Sequence, residues 1–378
     1  MREIPFYKPL IDQSEKNLVD EALELRGASK VEELEDLMCE IIGSRYAIAT
    51  SSWSGAMHLS MFALGLKRGD KILCSVNAHP AIPEAVRHFD AEPIFVDIDA
   101  TTFNISTDAL KEALVKFKHK KLKAVVITHI GGISADLKEI YKIAKENDIK
   151  VIEDASTSLG STYDGDMLGN SGGDLTSFSI GGNNQKQPII NCGIITTNDE
   201  KLYKRAKLLR HHAIQSREWD SSGNLGYIYD VADIGINYET SELEAAFAIG
   251  KLQKIDELIK RRREIADIYY KNLTDTPHII LPSRTDENTY ELFTIKIDKN
   301  RDDFARSLKE RGVFTALFYS PLHLLSYYKQ KYSLKVNDYP IALISYQQIL
   351  SIPCYAAISN DDVEYVCQMI NEVASSKV

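Results

Sequence analysis

The sequence predicts an α/β protein built on a mainly parallel β-sheet. Short, uniformly apolar segments typical of buried strands recur along the first half of the chain, and segments with helical spacing of apolar residues lie between them. Several of these strand-like segments are followed by small polar residues or glycine. This alternation is typical of a parallel sheet that is covered by helices on both faces.

The first elements follow this pattern in order. The segment VEELEDLMCEII (31–42) places its apolar side chains on one helical face. A strand is predicted over 46–50, and the polar stretch SSWSG then leads into an apolar helix that ends near Gly65 and Gly69.

Further strands and helices alternate after residue 70. Strands are predicted over 71–75, 92–98, 123–128, 150–154 and 177–180, with helices around 81–89, 107–118 and 137–147. The segment GIITT (193–197) fits one more strand of the same sheet, and an antiparallel orientation is compatible with it.

A smaller second domain is predicted at the C-terminus. One long helical pattern runs from Ser241 to about Leu273, and it is followed by a strand over 291–297 and helices over 302–311 and 361–374. We therefore expect a large α/β domain over residues 1–250, including an N-terminal arm, and a small α+β domain over residues 251–378.

Composition and charge disfavour several classes of function. The chain has 378 residues, 44% of them hydrophobic, and its 45 Lys+Arg against 54 Asp+Glu give a net charge of −9. This sign disfavours general attraction to nucleic acids and acidic membranes. No apolar run approaches the length of a membrane span, and the five cysteines are scattered. The sequence predicts a cytoplasmic protein without nucleic-acid or membrane partners.

Three segments at predicted strand ends carry candidate chemistry, because ligands of open α/β sheets collect there. In Thr50–Gly55, hydroxyls and free N–H groups at a helix start suit a phosphate, and an ordinary N-cap by Ser52 or Ser54 is the alternative. The carboxylate of Asp154 suits a cationic ring nitrogen or a metal, with a helix cap or a solvated turn as the alternative.

The third segment is Ser177–Lys186, a strand followed by a glycine-rich polar loop, for which a surface turn is the alternative. The sequence contains no metal-ligand spacing such as HExxH, so no metal site is predicted.

Taken in order, several blocks of the sequence resemble one known family. These blocks are PFYKPLID, SSWSGAMHLSMFALGLKRGD, EPIFVDID, VIEDASTSLGS, SFS…CGIITTND, DIGINYETSELEAAFAIGKLQKIDELIKRRREIA, VFTALFYSPLH and ILSIPCY. Over nearly its whole length, the chain resembles the DegT/DnrJ/EryC1/StrS family of sugar aminotransferases. The resemblance implies the fold type I architecture of pyridoxal-phosphate (PLP) enzymes, with a seven-stranded sheet, and PLP as the cofactor.

The resemblance also implies roles for individual residues. Asp154 matches the aspartate that pairs with the pyridine nitrogen of the cofactor, and His79 matches the ring that stacks on it. The cofactor phosphate is implied to contact the loop of Ser52, Trp53 and Ser54.

The remaining implied roles lie later in the chain. Ser179 matches a further phosphate contact, and Thr157 lies beside the cofactor. Asn237 matches an asparagine offered to the cofactor of a neighbouring subunit, which implies a homodimer. Glu239 and His323 fall at substrate-side positions.

The sequence departs from the family pattern at several of these positions. Asn184 stands where the family has its Schiff-base lysine, and an amide cannot perform the chemistry of that amine. Lys186 lies two residues further on and is the candidate replacement. Thr157 replaces an amide side chain, Trp53 replaces a small residue, and Glu239 replaces an arginine.

Three hypotheses follow. The first is a PLP-dependent aminotransferase that acts on a nucleotide-linked keto-sugar in deoxysugar or surface-polysaccharide synthesis, with glutamate as amino donor and Lys186 as catalytic amine. The second is a homologue without the lysine that holds PLP or pyridoxamine phosphate (PMP) non-covalently and has altered, dehydratase-like chemistry. The third is a catalytically silent protein that binds a sugar nucleotide or partners an active subunit, which Trp53 and Glu239 favour.

Overall fold

The computed structural model describes residues 2–24, 27–117, 121–181, 189–216 and 229–376. Its central feature is a seven-stranded sheet between helices, and a separate three-stranded sheet lies in the C-terminal third of the chain. The predicted fold class, with a mainly parallel seven-stranded sheet, is therefore confirmed.

Polar side chains set the starts of the first three helices. Asp12, Ser29 and Ser52 each accept a hydrogen bond from a backbone N–H of the turn that follows. These bonds satisfy donors that the helix cannot satisfy internally. The helices are α1 (Gln13–Leu23), α2 (Lys30–Ile42) and α3 (Trp53–Ala63).

Seven strands form the central sheet. In chain order the strands of this part are β1 (Tyr46–Thr50), β2 (Lys71–Ser75), β3 (Glu92–Val96), β4 (Leu122–Thr128), β5 (Lys150–Asp154), β6 (Thr162–Tyr163), β7 (Asp166–Met167), β8 (Leu175–Ser179) and β9 (Gly193–Thr197). The short β6 and β7 pair with each other, and the others lie in the order β1-β9-β8-β5-β4-β2-β3. Only β9 runs antiparallel to its neighbours in this sheet, β1 and β8.

Helices cover both faces of this sheet. They include α3 and the later helices α4 (Ala81–His88), α5 (Thr107–Lys116), α6 (Leu137–Glu146) and α7 (Glu200–Arg210). Along β4, Ala124 and Val126 belong to the apolar cluster that includes α3 and α4, whereas Val125 and Ile127 belong to the cluster that includes α5 and α6. All four side chains are fully buried, which explains why the strand is uniformly apolar.

The long helical pattern predicted from Ser241 forms two helices rather than one. After β10 (Ile214–Ser216) and β11 (Tyr229–Val231), which pair antiparallel, the chain forms α8 (Glu242–Leu252) and α9 (Ile255–Leu273). Lys254 interrupts them: its backbone leaves the helical region, and its ammonium pairs with Asp12 and Glu15 near the start of α1.

None of the helices in the described ranges has the length and apolar character needed to cross a membrane.

The C-terminal part has its own sheet and apolar core. The fully buried rings of Tyr269, Phe293 and Phe304 belong to this core. The elements are β12 (Ile279–Ile280), β13 (Phe293–Ile297), α10 (Arg301–Glu310), α11 (Ser326–Lys331), α12 (Pro340–Gln348), β14 (Ile349–Ile352) and α13 (Asn360–Ser375). The strand and two helices predicted after residue 290 agree with β13, α10 and α13 to within about two residues, and the domain boundary at residue 250 stays a prediction.

Candidate functional site

The candidate site lies where parallel strands of the central sheet end. Strands β1, β2, β4, β5 and β8 run in the same direction, so their carboxyl ends meet at one edge of the sheet. The registers pair Asp154 at the end of β5 with Thr128 of β4 and with Ser177 of β8. The sheet therefore carries Asp154 to the middle of this edge.

Asp154 is a buried carboxylate with one satisfied oxygen. Its side chain is fully buried, and Oδ1 accepts a hydrogen bond from the N–H of Ser156 at 3.0 Å. Within the part of the chain that the structure describes, the buried Oδ2 has no hydrogen-bond partner. Burial raises the pKa of this carboxyl, and the hydrogen bonds from Ser156 partly oppose that shift. An unpartnered buried oxygen of this kind suits a cationic N–H donor from a ligand.

His79 follows β2 and lies near this carboxylate. Its Nδ1 accepts a hydrogen bond from the N–H of Ala81 at 3.2 Å, which leaves Nε2 to carry the proton of the neutral ring. Rings of Trp53 and Tyr319 meet the imidazole nearly edge-on, at centroid distances of 5.4 and 6.1 Å. Partial burial lowers the pKa of His79, and the nearby Asp154 opposes this effect. The ring is thus oriented by its neighbours while the residue stays solvent-exposed.

Two hydrogen bonds hold the polar loop at the start of α3, residues 51–55, in place. Ser52 Oγ accepts the N–H of Gly55 at 3.0 Å, and the N–H of Ser51 donates to the carbonyl of Tyr238 at 2.8 Å. The N-cap alternative for Ser52 is therefore observed. It does not exclude an anion site, because the first-turn N–H groups of Trp53 and Ser54 have no acceptor within the helix.

Trp53 is the first residue of α3. Its ring is partly buried against the apolar cluster that contains Met57 and Met61. The buried indole N–H has no hydrogen-bond partner among the described residues. The structure therefore brings Trp53 against His79, at the edge of the candidate site, and Ser54 is exposed beside it.

Thr157 lies in the loop after β5, and its hydroxyl is already engaged. It donates to the carbonyl of His129 at 2.9 Å and accepts the N–H of Gly131 at 3.0 Å. Ser158 makes the same pair of bonds to His129 and Gly132. Thr157 thus ties two loops at the sheet edge together, a structural role that the sequence analysis did not predict.

Tyr319 is a site residue that sequence reasoning missed. It lies within the VFTALFYSPLH block, and its backbone N–H donates to Asn77 Oδ1 at 3.1 Å. Burial and the charge of Asp154 raise the pKa of its hydroxyl, and a hydrogen bond with the Ser156 side chain acts in the opposite direction. The only indication of Tyr319 in the sequence is that an aromatic residue stands two positions before Pro321 of the SPLH segment.

Asn237 and Glu239 lie on an exposed turn. Asn237 Oδ1 accepts the N–H of Glu239 at 3.1 Å, and Glu239 Oε2 lies 2.7 Å from Nδ1 of His211. Tyr238, between them, bonds to the loop before α3 through its carbonyl. The turn is therefore attached to the Ser51–Gly55 loop, although neither side chain is a described partner of Asp154 or His79.

His323 is buried in the segment before α12. Its side chain is buried, Nε2 lies 3.1 Å from the carbonyl of Val336, and its ring packs against Tyr339 at 5.0 Å. Burial lowers its pKa. These contacts stabilise the segment before α12, and the substrate-side position of His323 stays a prediction.

The remaining predicted residues lie at or beyond the end of β8. Ser179 is the last residue of this strand and lines a cavity together with Ser156 and Thr157. Asn184 and Lys186 lie outside the described residues, so the replacement of the lysine stays a prediction.

Comparison with known proteins identifies the family of this chain. The model of the DegT/DnrJ/EryC1/StrS aminotransferase family matches residues 9–371. The chain is 31% identical to the spore coat polysaccharide biosynthesis protein SpsC of Bacillus subtilis, with 98% of this chain and 97% of SpsC covered. It is 30% identical to the GDP-perosamine synthase of Escherichia coli O157:H7 over the full length of both proteins.

A solved structure shows the same fold. Spr1654 of Streptococcus pneumoniae, assigned as a sugar aminotransferase and solved in its PMP-form, superposes with a TM-score of 0.91. The match covers 100% of both chains at 22% identity. The chain therefore belongs to the DegT/DnrJ/EryC1/StrS aminotransferase family and is an aminotransferase-like enzyme.

Proposed function

We propose that this protein is a PLP-dependent aminotransferase that acts on a nucleotide-linked keto-sugar, with glutamate as the amino donor. The observation that carries the proposal is the unpartnered Oδ2 of Asp154, which is buried at the carboxyl edge of the sheet near His79. The membership of the chain in an aminotransferase family supports the reaction class.

The cofactor is PLP, and the residues at the sheet edge fit it. The carboxylate of Asp154 would pair with the pyridine nitrogen, and the imidazole of His79 would lie against the ring. The phosphate would be held by the loop of Ser52, Trp53 and Ser54 and by Ser179. When bound, the protonated ring supplies an electron sink for bonds at the substrate carbon.

The electrostatics of Asp154 explain why a cation belongs there. In the protein alone, burial disfavours the ionised carboxylate and raises its pKa. A positively charged N–H placed at Oδ2 would restore the ionised form and satisfy the free oxygen. Ser156 and Tyr319 fix the loop around this carboxylate, so the carboxylate is oriented in advance.

The catalytic amine is assigned to Lys186, because Asn184 cannot exchange protons as an amine does. Glu239 is the exposed acid on the substrate side in this proposal, and its pairing with His211 holds it in one orientation. Because this acid stands where the family has arginine, we expect weaker attraction for an anionic group at this position.

We also propose a homodimer in which Asn237 is offered to the neighbouring subunit. Large apolar side chains are exposed around this turn, and such patches mark interaction surfaces. They are Tyr229, Val231, Ile234 and Leu243. Other apolar residues of α8, Ala246, Phe247 and Leu252, are buried against their own chain and do not serve this interface.

The proposed pathway is the synthesis of a deoxysugar or of a surface polysaccharide. The names of the two curated relatives, a spore coat polysaccharide protein and a GDP-perosamine synthase, support a sugar nucleotide as substrate.

The test is a transamination assay with a panel of nucleotide-linked keto-sugars. We expect formation of 2-oxoglutarate from glutamate together with an aminated sugar nucleotide. Lys186→Ala should abolish the reaction, and Lys260→Ala, at an exposed lysine of α9, should leave it unchanged.

Other outcomes identify the other hypotheses. A product that has lost a hydroxyl without gaining an amine would identify dehydratase-like chemistry. Tight binding of the sugar nucleotide without any turnover would identify a silent homologue. Either result would refute the aminotransferase proposal.

A further inference from the structure

A small cavity adjoins the candidate cofactor site on the side of α8. Its volume is about 80 Å³, and its walls come from the loop after β5, the end of β8, the start of α9 and the N-terminal arm. Ser156 and Thr157, which line it, follow Asp154 by two and three residues. A ligand group in this cavity would therefore lie beside the residues that surround Asp154.

Lys251, near the end of α8, is one of the charged residues that line this cavity, together with Lys8, Arg262 and Glu291. Its Nζ donates to the carbonyl of Ile180 at 3.3 Å. No carboxylate within the described ranges forms an ion pair with it. An ammonium has three donors, and the Ile180 carbonyl is its one hydrogen-bond acceptor among the described residues, so capacity remains for a ligand.

The acids nearest to Lys251 are already paired with other cations. Glu291 lies 2.8 Å from Arg262, whose Nε also donates to the carbonyl of Thr289. Glu15 lies 2.5 Å from Lys254. Lys251 is thus a cation at the wall of a cavity whose neighbouring carboxylates are engaged elsewhere, and this arrangement is costly unless an anion enters.

We propose that this cavity binds the carboxylate of a small acid, with the Lys251 ammonium as its ionic partner. The inference rests on the proposed function, because the occupant would be the amino donor or the keto acid that it becomes. Of the cations that line the cavity, Arg262 is paired with Glu291 and Lys8 is exposed, whereas Lys251 is partly buried and forms no ion pair among the described residues. A carboxylate in the cavity would therefore have Lys251 as its ionic partner.

The protonation of Lys251 gives this proposal a measurable consequence, the uptake of protons when the acid binds. Burial lowers its pKa in the free protein, Arg262 and Lys254 lower it further, and Glu291 and Glu15 act in the opposite direction. The other titratable groups that line the cavity are Tyr7, Lys8, Cys354 and Tyr355. An anion next to the amine favours the ammonium, so binding should take up protons at pH values where free Lys251 is partly neutral.

The experiment is isothermal titration calorimetry of the purified full chain with glutamate and with 2-oxoglutarate. Titrations between pH 7 and pH 10.5, in buffers of different ionisation enthalpy, give the number of protons taken up. We expect uptake that rises with pH towards one proton per bound acid.

Two substitutions separate charge from structure. Lys251→Met should weaken the binding of both glutamate and 2-oxoglutarate at least tenfold. Lys251→Arg keeps the cation but does not titrate, so it should bind within about threefold of the unsubstituted protein without proton uptake. Lys260→Met removes the same charge from an exposed site of α9 and should change neither quantity.

Unchanged affinity in Lys251→Met, or binding of the acids without proton uptake by the unsubstituted protein, would overturn the proposal. The uptake measurement stands even if Lys251→Met does not fold. Failure of this inference is also distinguishable from failure of the proposed function. If Lys251→Met still catalyses transamination with an unchanged KM for glutamate, only the proposed carboxylate subsite is refuted. If the acids bind but no transamination occurs, only the proposed reaction is refuted.

Discussion

Ser156 forms a hydrogen bond with one carboxylate oxygen of Asp154 and not with the other. The backbone N–H of Ser156 donates to Oδ1 at 3.0 Å, while the equally buried Oδ2 has no partner in the described part of the chain. The loop after β5 therefore orients the carboxylate and leaves one acceptor for a ligand. The proposed cofactor site depends on this asymmetry.

The first prediction concerns the stability of the cofactor-free protein. Because burial raises the pKa of Asp154, the carboxyl stabilises the fold most at low pH, and this contribution is lost as pH rises through the folded-state pKa. Asp154→Asn removes the buried charge, so the melting temperature of the cofactor-free protein at pH 7.5 should rise by about 2 °C. Thermal unfolding at pH 7.5 and pH 4 tests this, and the gain should be smaller at pH 4. A lower melting temperature for Asp154→Asn at pH 7.5 would contradict it.

The second prediction concerns His79 as a stacking surface. A ring at this position contributes about 0.5–1.5 kcal/mol to binding a flat aromatic ligand. His79→Ala should therefore weaken PLP binding roughly three- to tenfold in equilibrium dialysis, and His79→Phe should stay within about threefold. His212→Ala, at an exposed histidine far along the chain, is the matched control. Equal binding by His79→Ala and the unsubstituted protein would exclude the stacking role.

The third prediction concerns the cap of α3. Ser52 satisfies the N–H of Gly55, so Ser52→Ala should lower the free energy of unfolding by about 1 kcal/mol. Ser54→Ala, in the exposed first turn, should leave it within about 0.5 kcal/mol. Urea unfolding of the cofactor-free protein measures both. A larger loss for Ser54→Ala than for Ser52→Ala would show that the cap is misplaced.

The fourth prediction concerns acid stability. Burial lowers the pKa of His58 to about 4, and His88 adds to the effect. The unfolded chain therefore binds a proton that the folded chain does not between about pH 6.5 and pH 4, so stability is full above pH 6.5 and is lost as pH falls through this window. His58→Phe should reduce this loss by about 1 kcal/mol, a value discounted for the partial exposure of the ring.

Urea unfolding at pH 7 and at pH 4.5 measures the difference between the two proteins. The ring of His58 stacks on Phe89 at 4.7 Å, so an aromatic replacement preserves the packing. Parallel pH profiles for the two proteins would show that another group is responsible for the acid sensitivity.

Much of the fold could be predicted from the sequence, because a strand buried on both faces is uniformly apolar. The run of residues 124–127 in β4 is of this kind, and the structure places β4 inside the sheet, between β5 and β2. The break between α8 and α9 could not be predicted, since it coincides with a long-range ion pair of Lys254 with Asp12. Periodicity reports local spacing and contains no information about such partners.

The candidate site was predictable only in part, for the same reason. Asp154 could be found because it ends an apolar strand, and His79 through the family resemblance. Tyr319 reaches the site from the C-terminal part of the chain, so only the tertiary fold reveals it. His323 is turned inward towards Val336, a contact that no motif indicates.

The most direct test of the central claim is equilibrium dialysis of PLP against the unsubstituted protein and Asp154→Asn, with the bound cofactor counted per chain. We predict about one PLP per chain for the unsubstituted protein and at least tenfold weaker binding for Asp154→Asn. Absence of bound PLP in the first protein, or equal affinity in the second, would contradict the claim that this carboxylate holds the cofactor.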